Sequence, residues 1–132
     1  MGITFDSEAA GPGIPVGAYT VQIARIGSDW VERENFDKNG MELQAEFHFK
    51  IVDTPSDLDE EDRDQWLGYE FNKWIRKPRK LSNEAGNLNQ LIRAAMNVSK
   101  LTDDDRFDSA ELTGKKFTAI MSTSDSGYPR ID

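Results

Sequence analysis

A mainly β fold with a single helix, five strands forming one small barrel, is the class that these 132 residues predict. Three observations carry it. Apolar residues recur two apart in several short runs, which is strand spacing. One run alone recurs at i, i+3, i+4, i+7 and i+8, and it falls between the third and fourth of the strand-like runs. Gly, Pro, Asn and Asp fill the gaps where the chain must turn.

Residues 1–16 hold Gly2, Gly11, Pro12, Gly13 and Pro15 without a periodic apolar pattern and read as an N-terminal arm, leaving residues 17–132 as one domain. In residues 17–26, Tyr19, Val21 and Ile23 face inward against Thr20, Gln22 and Ala24, a first strand. Residues 27–40 mix Trp30, Val31 and Phe36 with charges and close on Asn39-Gly40, a pair that accepts positive φ and so marks a hairpin. Residues 41–51 are the best-patterned stretch. Met41, Leu43, Ala45, Phe47, Phe49 and Ile51 alternate with Glu42, Gln44, Glu46, His48 and Lys50, so one face of this second strand lies in the core. An acidic loop, residues 53–65, leads to Trp66, read as core or corner packing, and to a third strand ending near Pro78. Leu88, Leu91, Ile92, Ala95 and Met96 then form the helical stripe, with Asn87 and Gln90 as a capping box or a start nearer Ser82. After a second acidic loop, residues 112–122 give a fourth strand, residues 124–127 a turn and residues 128–131 a fifth strand. Five strands with a helix between the third and fourth describe the oligonucleotide/oligosaccharide-binding (OB) fold, a Greek-key barrel whose ligand face lies on strands two and three.

Net charge is −8, which at first disfavours nucleic acid, but its distribution matters more than its sum. Residues 53–64 carry −6 and residues 100–111 carry −3, so the remainder of the chain is at +1. The most basic stretch, residues 68–80, is also aromatic: Lys73, Arg76, Lys77, Arg79 and Lys80 follow one another with no acid between them, around Trp74. Cations hold phosphates and rings stack on bases, which is what a sequence-tolerant binder of single strands needs. Alternation divides the run, with Tyr69, Phe71, Lys73, Ile75 and Lys77 on one face and Glu70, Asn72, Trp74 and Arg76 on the other. A half-buried strand with a solvated basic rim has the same pattern. Lys115-Lys116 is a charged strand entry that would extend the basic stripe.

Other chemistries find little support. There is no cysteine for disulfides, thiolate catalysis or Cys-based zinc sites. His48 is the single histidine, which removes a multi-histidine metal site and suits a solvated or cross-strand partner instead. The acids of residues 57–62 lack the glycine and the glutamate of a calcium loop. Gly11-Pro12-Gly13 lacks the lysine and hydroxyl residue of a phosphate loop. No apolar run is long enough to span a membrane, and Asp6 stands where a myristoylation signal places a hydroxyl residue. The reading is a non-enzymatic protein of the cytoplasm without a cofactor.

The motifs resemble those of small phage and prophage proteins related to single-stranded DNA-binding proteins. The matching residues are Gly17-Ala18-Tyr19-Thr20-Val21, then Leu43, Phe47 and Ile51, Gly68, Leu88, Leu91 and Ala94 or Ala95, and the run from Leu112 to Ala119. The resemblance implies an OB-fold acting in phage replication or recombination, with Lys73, Trp74, Arg76 and Lys77, and Trp30 and Phe36, as nucleic-acid contacts. Its partners would be single-stranded DNA and a phage or host replication or recombination protein, with homo-oligomer formation open. Glu42, Glu46 and Lys50 on the outer face of the second strand depart from it, since carboxylates repel phosphates, and no acidic tail follows Arg130-Ile131-Asp132. The alternative is a protein-interaction module that keeps the barrel without binding nucleic acid.

Overall fold

The computed structural model describes residues 13–35, 40–124 and 128–131. Among these, the elements run β1 (Gly17–Ile26), β2 (Val31–Glu34), β3 (Met41–Asp53), α1 (Glu60–Trp66), β4 (Glu70–Arg76), α2 (Asn87–Met96), α3 (Ser109–Leu112), β5 (Lys116–Thr123) and β6 (Pro129–Ile131). The strands form one open antiparallel sheet. β1 lies between β3 and β5, β4 lies along the other side of β3, and β6 follows β5. None of the described helices is long and apolar enough to cross a membrane.

The sheet has six strands where the sequence predicts five. The addition is β2, whose four residues, VERE, are all exposed and so show no apolar face. It pairs with the start of β3, Val31 opposite Gln44 and Glu34 opposite Met41, and Asn35 N–H donates to the Gly40 carbonyl at 2.9 Å. The intervening residues, including Phe36 and the Asn39 of the hairpin signal, lie outside the described residues.

A bulge corrects the simple alternation of β1. Ile23 pairs with Phe49 and Arg25 with His48, leaving Ala24 as an extra residue. The extra residue reverses the parity of the strand. Arg25 is thereby turned outward and Ile26 packs against the core. The core itself lies on one face of the sheet: Tyr19, Val21 and Ile23 of β1, Phe47, Phe49 and Ile51 of β3, Ile75 of β4, and Phe117, Ala119 and Met121 of β5 are all buried. Each large apolar side chain among them contributes about 1.5–3 kcal/mol by leaving water. Ile14 joins this core, and Tyr19 Oη donates to the Pro15 carbonyl at 2.7 Å.

The first acidic segment is not all loop. Asp59 caps α1 by accepting the Asp62 N–H at 2.8 Å, and Glu60, Glu61 and Asp62 fill the first turn, where the helix dipole favours negative charge. Seven residues with Trp66 alone buried leave no stripe for a sequence reading to find. Trp66 therefore ends a helix, and its ring meets Tyr69 edge-on at 5.1 Å. Gly68 follows at φ +86°, which a side chain would strain, and turns the chain into β4. α2 begins at Asn87 with Gly86 in the capping position, so that no side chain caps it, in place of an Asn87–Gln90 box or a start at Ser82. Leu91, Ile92 and Ala95 cover the core as the stripe predicts.

Candidate nucleic-acid interface

β4 forms because it borrows the register of β3, from Gln44 opposite Arg76 to Lys50 opposite Glu70. That register fixes which way each basic residue points. Lys73 sits opposite Phe47 and Ile75 opposite Ala45, so these two share the core face, whereas Trp74 and Arg76 share the outer face with Glu46 and Gln44. The four residues that the resemblance groups together are thus divided between two sides of the sheet. Lys73 is half-buried, and loss of water holds its ammonium below the ordinary lysine range.

Both tryptophans meet a cation. Arg33 of β2 reaches across β3 and lays its guanidinium 3.9 Å from the centre of the Trp74 ring. Opposite Arg76 on β3 lies Gln44, 2% exposed, whose Nε2 has no hydrogen-bond partner among the described residues. On the core side, Lys77 Nζ stands 5.5 Å from the centre of the Trp30 ring, itself half-buried against the core. Neither ring is bare. A ring already faced by a cation is a stacking surface with an electrostatic partner in place.

The carboxylates of β3 are also engaged. Hydrogen bonds from Asn72, and then from His48, hold the Glu46 carboxyl below its usual range; the distances are 2.8 Å and 2.9 Å. The same His48 Nε2 lies 2.8 Å from Arg25 Nη2 of β1, a cross-strand neighbour of the kind that, beside solvent, the sequence suits. The nitrogen serves Glu46 when it carries a hydrogen and Arg25 when it does not. Glu42 faces Arg76 at 3.6 Å. Lys50 sits in one row of outward positions with Gln22 and Lys116.

Where β4 ends, Arg76, Lys77, Pro78, Arg79 and Lys80 line a cleft of about 840 Å³ together with Glu42 of β3, the connection that holds Asn83 and Gly86, and Asn87 and Leu88 at the start of α2. Two contacts that the sequence did not reveal hold this segment in place. Asn89, 1% exposed inside α2, donates from Nδ2 to the Leu81 carbonyl at 2.7 Å and accepts Arg93 Nε at 2.7 Å. Asp103, from the second acidic segment, accepts the Ser82 hydroxyl at 2.6 Å and the Ser82 N–H at 3.2 Å. Those bonds, with a lesser effect of nearby Lys80, keep the Asp103 carboxyl below its ordinary range. No sequence signal marks either residue, because a polar side chain inside a helix or an acidic loop reads as solvated.

The structure therefore brings Arg76, Lys77, Arg79 and Lys80 together, with Trp74 and Trp30 flanking them on opposite faces. Lys115 and Lys116 stand apart, at the entry to β5 beside Gln22. Phe36 lies outside the described residues. Among the described residues no group of three His, Asp or Glu side chains converges on a metal-sized site. No protein-family model matches the chain, and neither a curated protein nor a solved structure does.

Proposed function

We propose that this protein is a non-enzymatic OB-fold binder of single-stranded nucleic acid, in the replication or recombination setting that the resemblance implies. The observation that carries the reading is the cleft at the end of β4, where four cations gather in a protein of net charge −8. Phosphates are held by such a cluster whatever the base sequence, and neighbouring rings supply stacking. The pairing of β1 with both β3 and β5, and the position of α2 between β4 and β5, support the OB-fold part. On that reading β3 and β4 correspond to the ligand-bearing second and third strands. The engagement of Glu46 by Asn72 and His48, and of Glu42 by Arg76, reduces the repulsion those carboxylates exert on a phosphate.

The test is fluorescence anisotropy of a labelled mixed-sequence single strand at roughly 50 and 200 mM salt, beside a Lys77→Ala/Arg79→Ala/Lys80→Ala variant. Binding is expected to weaken steeply with salt, and losing three phosphate contacts should flatten the logarithmic salt slope by about 2. Absence of binding below about 100 µM at the lower salt would remove the proposal. It would favour a protein-interaction module, for which the exposed acids of α1 beside exposed Leu67 are the best-formed surface.

A further inference from the structure

A second hollow adjoins the basic cleft. It measures about 270 Å³ and lies beneath the connection from β1 to β2, walled by Trp30, Phe47, Leu88, Ile92 and Phe107. Leu88 lines both hollows, and Lys77, which lines the cleft, stands over the ring of Trp30, which lines the pocket. Pockets for small molecules run from about 300 to 1,000 Å³, so this one suits a single ring system rather than a whole nucleotide. Its polar residues are Ser28, Asp29 and Ser109. Asp29 Oδ1 accepts the Trp30 N–H at 2.8 Å, and its second oxygen accepts no hydrogen bond among the described residues.

We infer that this pocket takes one unstacked base of a bound strand, and that Asp29 selects a base bearing an exocyclic amino group. The inference rests on the strand-binding reading above. A strand whose phosphate lies against Lys77 has the apolar hollow close by, since Trp30 lines that hollow and Leu88 lines both it and the cleft. Single-stranded bases are commonly read by aromatic walls and hydrogen bonds to their Watson–Crick edges. A carboxylate is acceptor only. Cytosine, adenine and guanine each offer it an amino group, whereas the one donor of thymine is flanked by two carbonyls that repel it. Cytosine N4 to an acidic side chain is an established pairing in base recognition.

Labelled oligo-dC and oligo-dT of equal length separate this pocket from backbone binding. The wild type is expected to bind oligo-dC about tenfold more tightly, the worth of one charge-assisted hydrogen bond. Asp29→Asn keeps an oxygen for the Trp30 N–H but sets a donor beside it, and should bring the ratio to one or below. Ser109→Phe fills the hollow from an exposed position of α3 and should lower oligo-dC binding to the oligo-dT level. Equal affinity of the wild type for both oligomers, or an oligo-dC preference that survives both substitutions, would overturn the base pocket while leaving strand binding intact. Binding of neither oligomer would remove both proposals together.

Discussion

Trp30 and Trp74 are the same side chain met by the same kind of partner, a cation over the ring, on opposite sides of one sheet. Trp74 stands among charged and polar neighbours on the outer face, and its cation arrives from a four-residue strand. Trp30 packs against the core and walls a cavity. The contrast shows that a tryptophan's part in binding is not readable from its charged sequence neighbours. Trp30 lies among Asp29, Glu32, Arg33 and Glu34, yet it is the ring more tied to folding.

The sharpest way to break this comparison is to remove each ring. Trp30→Ala should cost about 2–3 kcal/mol in a urea melt, because it opens a cavity against Phe47 and Ile92, and Trp74→Ala about 1 kcal/mol. Equal losses would show that the two faces do not differ as described.

A smaller effect separates Lys73 of β4 from Lys77, the residue that follows the strand. Burial disfavours the charged form of Lys73, so its folded pKa lies below the unfolded value of 10.5. The resulting cost to stability is present in full below the folded pKa and fades as pH rises toward 10.5. Lys73→Met should therefore stabilise the protein at neutral pH by less than about 1 kcal/mol, allowing for solvent screening. That gain should shrink in melts taken at rising alkaline pH. Lys77→Met should show no such gain, since Lys77 is exposed and faces a ring.

The smallest expected change concerns Asp103. Its folded pKa is depressed, so its hold on Ser82 is complete above the ordinary value of 3.8 and is lost as pH falls below it. The protection of the Ser82 amide, its exchange rate set against the intrinsic rate at the same pH, should fall in that acid range and should be lower at neutral pH in Asp103→Asn. Unchanged protection in both would mean that the loop is held by Asn89 alone.

Much of the fold was legible because long elements carry periodic signals. From Ala45 to Ile51 the alternation of β3 stands where the pattern puts it, as does the stripe of α2. At the start of β3, however, Met41 and Leu43 are exposed and Gln44 is buried, because there the strand pairs with exposed β2 and has run past the core. What escaped was short or depended on register. β2 has no buried residue and α1 has one, so neither produces a period. The Ala24 bulge is invisible because any residue can be the extra one. The site was legible as a basic segment but not as a geometry. Which cation meets which ring is decided by Arg33 lying across β3 from Trp74, a relation between strands that local sequence does not contain.

Among the described residues β4 pairs with β3 alone, which leaves one row of its amides and carbonyls as a template for another strand. Two copies approaching along that edge would bring Lys73, Arg76 and Lys77 of one against the same cations of the other. Positive charge on β4 thus doubles as a guard against aggregation. Evolution toward a less basic edge would have to shorten, bend or cover this strand at the same time.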